Sequence, residues 1–333
     1  MSGVVTVALD AMGGDRGPAE VVAGAALAAR PGVLEIVLVG DERTLAAALD
    51  GGPPPGVTTR HAGEVIGFDE EPAAAVRAKP DASMVVTARA VGEGWAQAAV
   101  SAGSTGAMLA ASLFAMRRER GVIRPCLAAV LPGLHGPVTL VDAGATVDCR
   151  PEQLVQFAQM GTTLAEDVLG VQAPTCGLLT VGEEPGKGNA LARETYELLV
   201  DTPGLRFLRN VEGRDLFSGV VDVVVTDGFT GNVALKTAEG TAKFVLGAVR
   251  DAAMASWRDK AGGLLLSPTV RGLRRRLDPE TYGGAYLLGL YGVSVIAHGS
   301  SSRVAIANAC RYAAEGVRHD VVAHVAARIG RPL

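Results

Sequence analysis

The chain has 333 residues, 48% of them hydrophobic, enough to fill the core of one large α/β unit made of two interlocked lobes over 1–333. Aromatics are only 4%, so that core must be built from Ala, Val and Leu. A net charge of −4 argues against a broad nucleic-acid surface, and four cysteines without a Cys-x-x-Cys pair signal neither a zinc site nor a redox pair.

The first ten residues carry no basic secretory signal and no apolar run approaches a membrane span, so a cytoplasmic protein is expected. Residues 4–9 read as a buried strand ending at Asp10; a Gly-rich turn follows over 11–17, and Pro18 opens a helix to about residue 29. A strand over 34–39, a short helix over 44–49 and a proline-rich connection over 50–56 come next. The rhythm repeats with a strand end at 98–101, a helix over 105–116, strands over 127–131 and 139–141, and a long helix over 151–169 that starts on Pro151. A strand over 175–180, a helix over 190–199, an apolar strand over 220–226 and a helix from about Val233 follow. The last strand covers 293–297 and one long helix is expected over 304–328. Near-continuous Val and Leu strands alternating with helices predict a mostly parallel sheet covered on both faces.

Five loops share one design, a strand, then Gly with Ser, Thr, Asn or Asp, then a helix: 10–17, 101–106, 142–148, 227–232 and 298–302. A sixth, 182–189, adds Lys187. Free N–H groups and the helix dipole suit such places to anions, and in a parallel sheet they should gather on one edge. Any single loop is equally well explained as a turn with an N-cap; the set is harder to explain that way. No dinucleotide fingerprint, P-loop, hydrolase elbow or His-Glu-x-x-His is present, so no cofactor and no metal are expected.

The loops resemble those of one family. Leu9-Asp10-Ala11-Met12-Gly13-Gly14-Asp15, Ser101-Ala102-Gly103-Ser104-Thr105-Gly106-Ala107 and 182–189 look like signatures of the bacterial phosphate acyltransferases that use acyl carrier protein (ACP). So do the run from Val223 to Lys236 around Asp227-Gly228-Phe229-Thr230-Gly231-Asn232, then Tyr282-Gly283-Gly284-Ala285 and Ala297-His298-Gly299-Ser300. The resemblance implies a fold like that of the isocitrate and isopropylmalate dehydrogenases and the phosphotransacetylases, and a homodimer. It also implies acyl transfer from acyl-ACP to inorganic phosphate, the product feeding a membrane glycerol-3-phosphate acyltransferase. Arg16 stands where the family often has His, Ser104 and Thr146 where it often has Asn, and Ile296 where it often has Lys.

That activity assigns roles. Lys187, Lys236, the loop with Ser101, Ser104, Thr105 and Gly106, and the turn Thr230-Gly231-Asn232 suit phosphate, with Gly13, Gly14, Asn189 and Ser300 on the neighbouring loops. Asn232 or His298 suits the oxyanion, and His298 also suits protonation of the leaving thiolate. Asp10, Asp142 and Asp227 each end a strand and either cap the next turn or orient a lysine.

The stretch 257–280 departs from the rhythm and reads as a projecting amphipathic arm, its helix starting at Ser267-Pro268. Leu266, Val270, Leu273 and Leu277 share one face, with Arg271, Arg274, Arg275 and Arg276 beside and opposite it. Such a helix suits a membrane surface, a dimer interface or the acidic surface of ACP. Rival functions are an acyl-CoA phosphotransacylase, a metal- and NAD(P)-dependent 2-hydroxyacid dehydrogenase of the same fold, and a non-catalytic scaffold for lipid-synthesis enzymes.

Overall fold

The computed structural model describes residues 3–277 and 279–330, without the side chains of 273–277 and 279. Among the described residues eleven strands form one sheet: β1 (Val5–Asp10), β2 (Leu34–Gly40), β3 (Val57–His61), β4 (Ala98–Ser101), β5 (Cys126–Pro132), β6 (Pro137–Val141), β7 (Thr175–Leu179), β8 (Arg206–Val211), β9 (Val223–Val225), β10 (Ala285–Leu288) and β11 (Val293–Ile296). Their spatial order is β3-β2-β1-β4-β11-β10-β5-β6-β9-β7-β8.

Side chains alternate across this sheet, as strand geometry requires. Val7, Ile36, Val100, Val225 and Val295 face one continuous core, against Phe157 and Leu164 of α6 (Pro151–Asp167), α1 (Pro18–Ala28), α10 (Arg303–Arg318) and α11 (Val321–Ile329). Ala99, Leu127, Leu287 and Ile296 face the other side, under Met84 of α4 (Ser83–Gly92) and Met108 of α5 (Thr105–Met116). The mostly parallel sheet with helices on both faces is as expected.

The direction of the strands is not uniform. β10 is antiparallel to β11 and to β5, and β5 is antiparallel to β6; the other pairings are parallel. Three successive reversals turn β6, β9, β7 and β8 against β1, β2, β3, β4 and β11. The hairpin between β5 and β6, closed by Gly133 N–H donating to Gly136 O at 2.9 Å, leaves no room for a crossover helix, so those strands must be antiparallel. Consequently the loops do not gather on one edge. Loops 10–17, 101–106 and 298–302 leave one edge and loops 142–148, 182–189 and 227–232 leave the opposite one. Between them stands four-residue β10, about 10 Å long at ~3.3 Å per residue.

Three other expectations change. The C-terminal helix is two helices, broken at Asp320, which adopts left-handed backbone (φ 53°). The helix expected from Val233 begins five residues earlier as α8 (Gly228–Met254), because the Asp227 carboxylate accepts the Thr230 N–H at 2.8 Å and caps it. The arm helix, α9 (Trp257–Leu277), starts at Trp257 and carries Pro268 inside it rather than at its start. It packs against α8, and the two form a helical hairpin. Leu266 is exposed, Val270 half-buried, and Arg271 donates to Ser267 O at 3.2 Å; the side chains of Leu273, Arg274, Arg275, Arg276 and Leu277 lie outside the described residues. Among the described residues no helix is long and apolar enough to cross a membrane.

Candidate active site

On the edge where β6, β7 and β9 end, the site is built around Asp142. Its carboxylate is buried, and Oδ1 accepts N–H bonds from Leu127 (2.8 Å), Gly144 (3.0 Å) and Ala145 (3.0 Å), while Oδ2 accepts from Thr146 (2.6 Å) and Ala145 (3.1 Å). The 143–146 turn is thus wrapped onto one side chain. Burial pushes the Asp142 pKa above the ordinary carboxylate value, and the N–H donors pull it back. The turn then docks on the start of α8: Gly228 N–H donates to Thr146 O at 2.8 Å, and Asn232 Nδ2 donates to Ala143 O at 3.2 Å.

This docking explains both glycines of the Asp227–Asn232 segment. A Cβ on Gly228 would meet Asp142 Oδ2 at 2.7 Å and Thr146 O at 2.6 Å, and a Cβ on Gly231 would be driven into the Asp142 carbonyl oxygen. Asp227 holds the first turn, accepting from the Thr230 N–H and from Thr230 Oγ1, both at 2.8 Å. Asn232 and Thr230 remain exposed, and Lys236, one turn on, bonds Glu239 at 3.0 Å. Cys149 belongs to the same cluster, its Sγ 3.2 Å from Thr146 O.

The opposite edge repeats the device with other atoms. Asp10 is buried and accepts from Ser101 Oγ (2.7 Å) and from the N–H groups of Met12 (3.1 Å) and Gly13 (3.2 Å). Burial raises its pKa; the hydroxyls of Ser101 and Ser83 and the N–H donors counteract this. Ser101 Oγ in turn accepts the Gly103 N–H at 3.0 Å. Gly13 is required there, since a Cβ would lie 2.8 Å from Gly103 N and 2.6 Å from Asp10 Oδ2. Gly14 has φ 99°, and Asp15 N–H donates to Gly299 O at 2.7 Å, which ties this loop to the His298 loop. His298 Nδ1 lies 3.2 Å from the Ser300 N–H, which can only donate, and 2.9 Å from Ser300 Oγ. The neutral ring therefore carries its proton on Nε2 and presents a donor outward. Ser104, Thr105 and Gly106 open α5 on this edge; Ser104 makes no side-chain cap, and Gly106 packs on Pro72.

The Lys187 loop follows β7, beside β9, on the Asp142 edge. Lys187 is exposed, with Nζ 3.9 Å from Glu184, and Asn189 caps α7 (Ala190–Val200) by accepting the Ala192 N–H at 2.9 Å. The structure therefore brings together Asp142, Asp227, Thr230, Gly231 and Asn232, and separately Asp10, Gly13, Gly14, Ser101, His298 and Ser300. Among the described residues no hydrogen bond or ion pair joins the two groups. An apolar cluster does connect them: Ala107 and Met108 of α5 pack with Ala143, Ala145 and Leu235. Sequence reasoning quoted Gly103 and Gly228 within motifs but gave no individual role to them, nor to Gly144 and Cys149; Gly following a strand-end Asp was the available signal for Gly228 and Gly144.

The comparisons with known proteins agree with one another. Residues 5–324 match the model of the family described as fatty acid synthesis protein. A phosphate acyltransferase of Pelotomaculum thermopropionicum is 47% identical over 97% of this chain and 94% of its own, and one of Thermus thermophilus is 48% identical over 97% and 98%. The chain belongs to this phosphate acyltransferase family and is an acyltransferase. Its fold is that of a phosphotransacetylase from Streptococcus pyogenes (TM-score 0.60, 17% identity, 95% of this chain and 94% of that one). A branched-chain phosphotransacylase from Enterococcus faecalis shares it too (TM-score 0.58, 16% identity, 95% and 100%).

Proposed function

We propose that the protein moves a fatty acyl group from acyl-ACP to inorganic phosphate, giving an acyl phosphate for phospholipid synthesis. A phosphate oxygen attacks the thioester carbonyl carbon, a tetrahedral oxyanion forms, the C–S bond breaks, and the carrier thiolate leaves and takes up a proton. Phosphate is already an anionic oxygen nucleophile near neutral pH, so the enzyme has to position it and stabilise the oxyanion. Lys187, exposed and only loosely paired, supplies the mobile cation for phosphate. Asn232 gives one amide hydrogen to Ala143 O and keeps a second for the oxyanion. Asp142 and Asp227 shape this donor set, and Nε2–H of His298 serves an anion at the opposite edge.

The observation that supports direct attack is the state of Cys149. This thiol sits in the Asp142 cluster, and burial, together with nearby carboxylates, pushes its pKa up to about 12, so it stays protonated and weakly nucleophilic at neutral pH. In the same reading the protein is a homodimer in the cytoplasm, resting on the membrane surface where a glycerol-3-phosphate acyltransferase takes its product. The exposed Trp257, Leu264 and Leu265 of α9 support that contact.

The test mixes protein, acyl-ACP and phosphate and follows acyl phosphate and free ACP thiol, with acyl-CoA as a parallel donor. A variant with Cys126, Cys149, Cys176 and Cys310 changed to Ala should keep substantial turnover while folded. A trapped acyl-enzyme in the native protein, lost with activity in the folded variant, would reject direct attack.

A further inference from the structure

The loop between α5 and β5 holds Arg117, Arg118, Arg120 and Arg124 within eight residues of a chain whose net charge is −4. All four arginines are exposed, and among the described residues no ion pair engages any of them. The one acid of the loop, Glu119, is buried and accepts the Arg120 N–H at 2.7 Å. Arg118 folds back on its own loop, donating to Val122 O at 3.2 Å and to Ile123 O, which leaves Arg117, Arg120 and Arg124 facing solvent.

The loop backbone is held from several sides. Glu119 N–H donates to Gly289 O (3.0 Å) and Tyr291 N–H to Arg117 O (3.3 Å). Gln156 of α6 clamps it twice, accepting the Ile123 N–H at 2.8 Å and donating to Gly121 O at 2.8 Å. A basic surface fixed in this way binds with little further ordering of the backbone.

Its place is equally specific. Residue 124 is followed by Pro125, whose carbonyl accepts Thr146 Oγ1 at 3.2 Å, and Leu127 N–H is one of the donors to Asp142. The basic loop therefore borders the Asp142–Asn232 cluster, on the same edge of the sheet. An acidic macromolecule is repelled by the chain as a whole and attracted here, which steers it to one orientation beside the site.

We infer that the 117–124 loop is the docking surface for the acidic carrier protein that presents the acyl thioester. The inference rests on the acyl-transfer reading above and assigns carrier recognition to this loop rather than to the 257–277 arm.

The experiment is the triple charge reversal Arg117→Glu, Arg120→Glu, Arg124→Glu, made in the full chain and checked for unchanged circular dichroism. Surface charges act mainly on encounter, so KM for acyl-ACP should rise about tenfold or more while kcat and the KM for phosphate stay within about twofold. Turnover of acyl-CoA, which has no carrier protein, should be unchanged. Added salt should weaken acyl-ACP use by the native protein and hardly affect the variant. The triple Lys variant should behave as the native protein does. A wild-type KM for acyl-ACP in the Glu variant, or an equal loss with acyl-CoA, overturns the inference. Calorimetric titration with ACP bearing its free thiol reads docking without chemistry. If no thioester yields acyl phosphate, the acyl-transfer reading fails, and this titration still decides whether the loop binds the carrier.

Discussion

Helix α8 has two contrasting ends. At the first, Gly228 and Gly231 press on Asp142 and Thr146, and they are the only buried residues among the 27 of the helix. At the other, Phe244, Val245, Val249 and Met254 are exposed, and α9 continues with Trp257, Leu264, Leu265 and Leu266 exposed as well. The first end is fixed by the 143–146 turn and by Asp142 at the end of β6. The second packs on its helical partner and offers apolar side chains to solvent. A rigid end suits positioning of donors to within a fraction of an ångström, which acyl transfer demands. An exposed apolar end suits a surface that is not part of this subunit.

The largest effect should come from crowding the first end. In Gly231→Ala the new methyl collides with the Asp142 carbonyl, a backbone atom that cannot swing away. Overpacking of this kind costs about 1–3 kcal/mol or more, and here it also moves Asn232, so both melting temperature and turnover should fall. Gly240→Ala, farther along the same helix, where a Cβ meets nothing within 4 Å, should leave turnover intact and slightly stabilise the helix. Equal behaviour of the two variants would erase the contrast between the ends.

Asp142→Asn is the next step down. The amide turns one acceptor into a donor facing the N–H groups of Ala145 and Thr146, so the 143–146 turn should loosen and kcat should fall about tenfold or more, a loss of ~1.4 kcal/mol or more in transition-state stabilisation. Acid should imitate this in the native protein. Because burial raises the folded-state pKa of Asp142, the folded protein takes up this proton more readily than the unfolded chain. The group therefore favours folding most below its unfolded pKa, and that contribution is lost as pH rises through the folded value. Activity should accordingly fall on acidification before this group weakens the fold. Turnover and melting measured side by side from pH 7 downward check it; loss of both together, or full activity in the Asn variant, contradicts the role given to Asp142.

How far the sequence carries the architecture depends on the range of the contacts that decide it. Most of the apolar strands, the helices opened by Pro18 and Pro151 and the family's loop signatures are local patterns and were legible; four-residue β10 was not. The reversal of half the sheet was not legible either, because it depends on β10 pairing with β5, which joins residues as far apart in the chain as Tyr286 and Ala128. β3 was overlooked because four of its five residues are exposed, so Thr-Thr-Arg-His reads as a loop. The start of α8 was hidden for another reason. Asp-Gly-Phe-Thr-Gly-Asn has the composition of a turn, and its glycines are there to admit Asp142 from a neighbouring strand end. Asp10 and Asp142 were recognisable as strand-end acids, but only the fold shows that protein donors surround their carboxylates.

The smallest effect on chemistry should come from the exposed end of the hairpin. Leu264 and Leu265 are 75% and 82% exposed, so neither contributes much to the stability of the subunit. Replacing both with Glu removes apolar contact and adds two negative charges that anionic headgroups repel. Turnover of soluble acyl-ACP should remain near the native value, since the Asp142 edge is untouched. Sedimentation with vesicles containing phosphatidylglycerol should weaken, while Leu264→Met with Leu265→Met should restore it. If vesicle binding is unaffected but the Glu variant runs at a smaller size than the native protein in sizing experiments, the open end of the hairpin is covered by a second copy instead. If KM for acyl-ACP rises in the Glu variant, the rigid and exposed ends are not separate in function, and the arm rather than the 117–124 loop receives the carrier.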